Sequence, residues 1–440
     1  MGRSALGDEE EVAREMVLHI DCNTFYASCE VSLRPDLQGK PVVVANCNEA
    51  GGGIILALTK EAKALGLKRG NPVFQVKDIL NRHNVAVFPA NLPKYVDISR
   101  RLMQVVKDQN IVLDFEQYSV DEFFGELPVD DPAELREYAS KVKAHIEYCT
   151  GIPVSCGISQ TYTLAKVATW YAKKFKGYKG ICVLTEENRE KALKGLPISN
   201  VWGIGRASNA KLQMLGITTA WDFIQQPEYF IRKQFTLEGS RTWNELNGKR
   251  CVDIKSPKQQ KSIMHTRTFT FMTEDKAKLQ SYITDFAVAA SRKLRDQHSV
   301  CMEVGVFLAT NPHRTDLRQY NNSYSIRLLV ATADSTEIIK VALEALDHIY
   351  RPSYLYKRAG VMLMNITSDA AIQLDLFDSP SRNVEKSKRL MQTLDTLNTK
   401  YGMDCIKFAT QELEKPKPDL NNFQPLRNET TNINDIPEVH

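Results

Sequence analysis

The sequence predicts an α+β protein of several domains. Three observations carry that expectation. Its 440 residues exceed one ordinary domain. Its N-terminal part mixes short β-branched runs with amphipathic helices. A Ser256-Pro257 linker then separates a stretch of short, glycine-punctuated helices from a second mixed α and β segment.

Composition narrows the class. With 43% hydrophobic and 25% charged residues the chain reads as globular. It has no run of eighteen apolar residues, and its first fifteen residues are acidic and polar where a leader would be basic and then apolar. A membrane-spanning or secreted protein is therefore not expected, and a cytoplasmic one is. The 9 cysteines include no C-x-x-C pair, which argues against a disulfide framework and against a cysteine-built zinc site. The net charge is only +4. Between Lys255 and Ser368, however, 16 Lys and Arg face 10 Asp and Glu, so the basic excess sits in one segment, as suits a module lying along a phosphate backbone.

Along the chain, residues 1–15 read as a loose extension. Met16, directly before the strand-like Val17-Leu18-His19-Ile20, reads as the functional start. From there to about Gly180 the pattern is a sheet covered by helices. Tyr95, Ile98, Leu102 and Val105 have helical spacing, and Val154, Cys156 and Ile158 alternate as in a strand. Ile181 to Asn247 reads as short helices. Beyond the linker, strands are expected at Thr266 to Phe271, Met302 to Ala309 and Tyr324 to Leu329, with helices at Ala277 to Gln297 and Ser335 to Tyr350. The tail beyond Glu412 is rich in Pro, Asn and Asp and reads as disordered. There is no internal repeat.

The sharpest chemical feature is Asp21, closing the first strand, together with Asp121-Glu122 inside Tyr118-Ser119-Val120-Asp121-Glu122-Phe123-Phe124. A carboxylate at one strand end and two more at a turn between neighbouring strands can meet at a small oxygen-ligand cation site. Magnesium with substrate phosphates uses such a site for phosphoryl transfer. Lys166 and Lys173 lie two helical turns apart, on one face, where two ammonium groups can hold a triphosphate. Gly203-Ile204-Gly205 with Arg206 lies between short helices, and such a hairpin lets backbone N–H groups approach a DNA phosphate. Gly51-Gly52-Gly53 lacks the Gly-Lys-Ser/Thr of a phosphate loop and reads as a flexible turn. Gln373-Leu374-Asp375-Leu376-Phe377 presents an apolar pair at a domain edge, a feature that calls for a partner.

These residues carry a resemblance. Asp21-Cys22-Asn23-Thr24-Phe25-Tyr26-Ala27-Ser28-Cys29-Glu30 resembles the opening motif of the Y-family DNA polymerases, and Tyr118-Ser119-Val120-Asp121-Glu122 resembles their second catalytic motif. The segment Cys156 to Lys174 resembles the one that closes their palm. Leu394-Asp395-Thr396-Leu397-Asn398-Thr399-Lys400-Tyr401-Gly402 resembles the C-terminal extension of the UmuC-type branch, the catalytic subunits of bacterial DNA polymerase V. With Arg34-Pro35-Asp36-Leu37, Glu61-Ala62-Lys63-Ala64-Leu65-Gly66 and Trp202-Gly203-Ile204-Gly205-Arg206, the likeness runs from about Met16 to Glu412.

The resemblance implies a right-hand polymerase. Its palm, an antiparallel sheet plus helices, would span 16–24 and 91–180, with small fingers at 25–90. A helical thumb with a helix-hairpin-helix would follow at 181–250, and an α+β little finger at 258–368. A clamp-binding peptide and C-terminal extension would occupy 369–412, before a disordered tail at 413–440. The implied activity is error-prone, template-directed addition of dNTPs to a primer 3′-hydroxyl, for translesion synthesis and SOS mutagenesis, with a pair of magnesium ions.

Asp21, Asp121 and Glu122 are the implied catalytic residues, and the backbone carbonyl of Cys22 joins them as a metal ligand. Tyr26 is implied as the steric gate against ribonucleotides. Cys22, Phe25, Tyr26, Lys60, Lys63 and Lys173 are implied around the nucleotide, and Gly203, Gly205 and Arg206 on DNA. Gln373, Leu374, Leu376 and Phe377 would dock on the sliding clamp. Primer-template DNA, a UmuD-type dimer and a recombinase filament complete the implied partners.

One stretch departs from the family. Ala57-Leu58-Thr59-Lys60-Glu61-Ala62-Lys63 lacks the Tyr and Arg that many members carry there, so Lys60 and Lys63 would substitute as point charges. Three other readings use the same residues: a palm-type nucleotidyl cyclase, a non-catalytic DNA-binding accessory, and a polymerase IV-type enzyme.

Overall fold

The computed structural model describes residues 16–46, 53–109, 112–129, 131–254, 259–370, 384–402 and 405–411. They form two compact units, one ending at residue 254 and one beginning at 259.

The first unit opens with β1 (Met16–Cys22) and α1 (Phe25–Ser32), then β2 (Val42–Ala45), β3 (Ile55–Leu58), α2 (Lys60–Ala64), α3 (Lys77–Arg82) and β4 (Ala86–Pro89). It continues through α4 (Leu92–Lys107), β5 (Leu113–Gln117), β6 (Glu122–Leu127), α5 (Pro132–Thr150), β7 (Val154–Ser159), α6 (Tyr162–Lys174) and β8 (Ile181–Val183). Its last helices are α7 (Glu186–Gly195), α8 (Arg206–Met214), α9 (Ala220–Ile224) and α10 (Glu228–Leu246).

The apolar run Met16 to Ile20 is buried because β1 lies at the centre of a five-stranded sheet of order β5-β6-β1-β7-β8. β1 pairs antiparallel with β6 and with β7. β7 and β8 run parallel at one side of an otherwise antiparallel sheet, and α6 supplies the crossover that a parallel pair needs. A separate three-stranded sheet, β3-β2-β4, packs its own small core of Val43, Ile55, Leu58, Leu67 and Leu80.

Local sequence sets the helix ends. Asp131 caps α5 by accepting from the N–H groups of Ala133 and Glu134 at 2.9 and 3.0 Å, Pro132 follows it, and Gly151 closes the helix at φ 67°. In α4 the buried stripe is Tyr95, Ile98, Leu102 and Val106, so the last step is four residues to Val106 instead of three to Val105. In β7 the expected alternation is overridden, because α5 and α6 both pack on the strand and all six residues are buried.

The second unit holds β9 (Ile263–Thr273), α11 (Lys276–Asp296), β10 (Ser299–Thr310), β11 (Asn321–Thr332), α12 (Ser335–Ile349), β12 (Tyr356–Ser368) and α13 (Val384–Tyr401). Its antiparallel sheet, of order β11-β10-β12-β9, carries α11 and α12. The strand β12 went unread in the sequence although it is central. Its Arg-Ala-Gly-Val-Met-Leu-Met run is poor in β-branched residues, and pairing with β10 on one side and β9 on the other makes it a strand. The helix α13 belongs to this unit. It buries Met391, and its Asp395 receives a two-pronged bond from Arg295 at 2.6 and 2.8 Å. The clamp-like residues Gln373, Leu374, Leu376 and Phe377 lie outside the described residues, as do 1–15 and 413–440.

Candidate active site

The end of β1 gathers the acidic residues. Asp21 stands directly opposite Glu122 of β6 on one side and Ser155 of β7 on the other, while the Cys22 N–H donates to the Asp121 carbonyl at 2.9 Å. The turn before β6 is held by Ser119. Its hydroxyl donates to Asp121 Oδ1 at 2.7 Å and accepts from the Asp121 and Glu122 N–H groups at 3.3 and 3.1 Å. Residues far apart in sequence thus arrive at one edge of one sheet.

Helix α6 brings the cations. It can lie close on β7 only because residue 157 is glycine: a Cβ there would sit 2.2 Å from the Thr169 backbone nitrogen and 2.3 Å from the Ala165 carbonyl. The helix start is fixed by Thr161, whose hydroxyl accepts from the Leu164 N–H at 3.2 Å, and by the fully buried Glu245, which accepts from the Thr163 N–H at 3.0 Å. Lys166, Thr169 and Lys173 consequently share one face toward β1. Lys173 pairs with Asp21, Lys166 donates to Glu122 at 2.8 Å, and Thr169 pairs with His19 Nδ1 at 2.8 Å. Replacing Gly157 by Ala is expected to destabilise the protein by ~1–3 kcal/mol, the usual cost of forcing atoms into filled space. Thermal unfolding measures this, and an unchanged melting temperature would refute the close-approach argument.

The electrostatics follow from crowding. Burial raises the Asp21 carboxyl to about 6, helped by Glu122 and Asp121, and Lys173 only partly offsets it. Burial would raise Glu122 as well, yet His19 and Lys166 beside it hold it down to about 2. His19 is kept near 4 by burial and by the two lysines, so its ring is neutral at physiological pH. Its Nε2 has no hydrogen-bond partner and sits 3.6 Å from Glu122.

Among the described residues no three Asp, Glu, His or Cys side chains are grouped as a preformed cation site. The two lysines stand on the carboxylates in its stead, Lys173 on Asp21 and Lys166 on Glu122. Positive charge is what three crowded acids require, and a donor set made only of oxygens suits a hard divalent cation. By donor type, the carboxylates of Asp21, Asp121 and Glu122, brought to neighbouring strand ends by the register, suit such a cation.

Tyr26 stacks on Tyr95 with ring centroids 4.5 Å apart and planes at 18°. Tyr95 is itself buried and donates to Glu30 at 2.6 Å, and Glu30 also accepts from the buried Lys94 at 2.7 Å. Partial burial, together with Lys173 and Lys60, lowers the Lys63 ammonium, which marks a set of like charges facing α6. The Phe25 ring is buried in the core, so its backbone is the part that a ligand could reach. The Cys22 thiol is buried and pushed well up, so it stays protonated.

Arg69 was missed in the sequence. Burial raises the Tyr26 hydroxyl, Asp121 adds to that and the positive charge of Arg69 opposes it, so a guanidinium lies within electrostatic reach of Tyr26 where 57–63 offers none. Lys68-Arg69 reads as plain surface charge, and no local pattern marks it.

In the hairpin, Gly203 has φ 88° and a Cβ there would meet the Thr242 hydroxyl at 2.7 Å. Gly205 caps α8 with open space around it and no acidic residue in the first turn, while Arg206 is exposed. That helix start is free to take an anion.

Comparison with known proteins adds the following. A sequence model of the impB/mucB/samB family matches residues 20–170, and that of its C-terminal domain matches 260–376. A model of the IMS family HHH motif matches 186–217, and one for a domain of unknown function matches 388–439. The chain is 37% identical to Protein UmuC of Salmonella typhimurium over 400 residues, covering 90% of this chain and 93% of that protein. To Protein MucB of Escherichia coli it is 35% identical over 398 residues, covering 90% and 93%. To DNA polymerase IV 1 of Bacillus subtilis it is 28% identical over 417 residues, covering 91% and 94%. Among solved structures, a Y-family DNA polymerase chimera aligns over 80% of this chain and 99% of its own length, with a TM-score of 0.62 at 23% identity, a likeness of fold.

Proposed function

The chain belongs to the impB/mucB/samB family and is a DNA-directed DNA polymerase with the Y-family fold, and from that premise we propose that it carries out error-prone translesion synthesis as a polymerase V-type catalytic subunit. The observation that carries the reading is the strand register that sets Asp21 against Glu122, with Asp121 bonded to the next residue of β1. Greater identity to the UmuC, ImpB and MucB proteins than to polymerase IV supports the polymerase V-type assignment.

Asp21, Asp121, Glu122 and the Cys22 carbonyl would hold a pair of magnesium ions, which when bound lower the pKa of a primer 3′-hydroxyl and neutralise the pyrophosphate leaving group. The chain's own groups do the rest. Lys173, with Lys60, Lys63 and Arg69 nearby, takes the triphosphate, and Lys173 exchanges Asp21 for a phosphate oxygen as it does so. The Tyr26 ring, braced by Tyr95, occupies the space that a ribose 2′-hydroxyl needs. The N–H groups after Gly205 and the Arg206 side chain grip a backbone phosphate without reading sequence.

Residues 25–90 form the fingers in this reading, and their small size leaves the nucleotide pocket open, which admits damaged template bases and weakens rejection of wrong pairs. The palm would span 16–24 and 91–180, the thumb 181–250 and the little finger 258–368. The peptide Gln373 to Phe377 would tether the enzyme to the sliding clamp and so raise its effective concentration at the primer end. A UmuD-type dimer and a recombinase filament are the further proposed partners. No helix among the described residues is long and apolar enough to cross a membrane.

The test is primer extension with magnesium over an undamaged and an abasic template, with the clamp, dimer and filament supplied. The expected result is nucleotide addition on both. A chain that adds nothing to either template is not the enzyme described.

A further inference from the structure

We propose that Lys166 and Trp202 are positioning residues that couple the DNA-gripping hairpin to the carboxylate of Glu122. Trp202 is the residue directly before Gly203, and its ring is set edge-on to Tyr118 with centroids 5.5 Å apart and planes at 90°. The Trp202 Nε1–H donates to the Tyr118 hydroxyl at 3.2 Å. The Lys166 ammonium lies 4.8 Å from the Tyr118 ring centre, 5.3 Å from that of Trp202 and 5.7 Å from that of Phe124, while it donates to Glu122 at 2.8 Å. Its side chain is only 14% exposed.

The chemistry of this cage is selective. Aromatic faces attract a cation but offer no lone pair in the ring plane, so they fix the ammonium in place without competing for its hydrogen bond to Glu122. Two walls, Tyr118 and Phe124, flank Asp121 and Glu122 in the same turn and strand, and the Tyr118 N–H donates to the Glu122 carbonyl at 3.0 Å. The third wall comes from the hairpin. Seating the hairpin on a phosphate therefore sets the position of Trp202, which sets Lys166, which aims Glu122, through direct contacts at every step. Sequence spacing placed Lys166 with Lys173 on one helix face, and the geometry adds to it a carboxylate and an aromatic cage. The inference rests on the polymerase reading, with Glu122 as a cation ligand.

A double-mutant cycle tests it, read as the single-turnover rate of nucleotide addition. Trp202→Ala is expected to slow addition about tenfold and to raise the magnesium concentration for half-maximal rate, with the dNTP KM within about twofold of wild type. In the Lys166→Met background the same change should cost less than about twofold, since residues acting through one another are not additive. Trp202→Phe keeps an aromatic wall and should restore most of the rate.

A second readout needs no catalysis. The difference in tryptophan emission between the wild type and Trp202→Phe should change on adding primer-template DNA without nucleotide or cation. Additive losses in the cycle, a Phe variant no better than the Ala variant, or a constant emission difference would each overturn the coupling. A wild type that fails to extend primers defeats the polymerase reading, whereas a wild type that extends with an additive cycle defeats only this inference.

Discussion

Asp121→Ala is expected to abolish primer extension, by roughly 10³-fold or more in rate, while primer-template DNA should bind nearly as tightly as before. The magnitude corresponds to ~4 kcal/mol of lost transition-state stabilisation, as expected when a group placed to hold charge-neutralising cations is removed from a preorganised site. Binding survives because affinity for DNA comes mainly from contacts between cations and phosphates, and the hairpin with Arg206 and the basic second unit are untouched by the change. The fold survives as well: Ser119 keeps its bond to the Glu122 N–H, and Asp121 contributes its backbone carbonyl to Cys22 whatever its side chain. Rapid-quench extension and fluorescence anisotropy measure the two halves separately. Extension that persists in the variant would remove Asp121 from the reacting centre, and a parallel loss of DNA binding would recast it as a structural residue.

Tyr26→Ala is expected to raise ribonucleotide incorporation roughly 10- to 100-fold relative to deoxyribonucleotides, the equivalent of the ~1–3 kcal/mol that extra atoms cost in a filled site. In the proposed role as a steric gate, the ring would be an effective barrier because its neighbour is held in place. It stacks on Tyr95, which the carboxylate of Glu30 holds through a hydrogen bond at 2.6 Å, and Lys94 neutralises that carboxylate in the interior. A stiff wall discriminates by sterics where a mobile one would yield. Steady-state competition between ATP and dATP opposite a template T reads the ratio directly, and an unchanged sugar preference would assign the discrimination elsewhere.

Much of this site was legible because its chemistry is local. Asp21 closes an apolar run, Asp121-Glu122 sits at a turn, and the seven-residue step from Lys166 to Lys173 requires that they share a helix face. The same rule failed where tertiary packing outweighs pattern. Val106 displaces Val105 from the buried stripe of α4, β7 is buried on both faces, and β12 is a strand by virtue of its neighbours. Arg69 left no trace in the sequence, since nothing about an exposed basic pair says which side chain lies across from it.

The sequence by itself determined the identity of the acidic and basic groups, the helix face that Lys166 and Lys173 share, and the glycine hairpin at 203 to 205, because those depend on side-chain type and short-range backbone geometry. The tertiary structure alone decided which cation meets which carboxylate: Lys173 on Asp21, Lys166 on Glu122 inside three aromatic rings, and His19 buried and neutral beside them. That division has a physical cause. Periodicity tells which face of an element a residue occupies, whereas electrostatic partnership depends on distances between elements, and those are set by how closely the helices and strands pack.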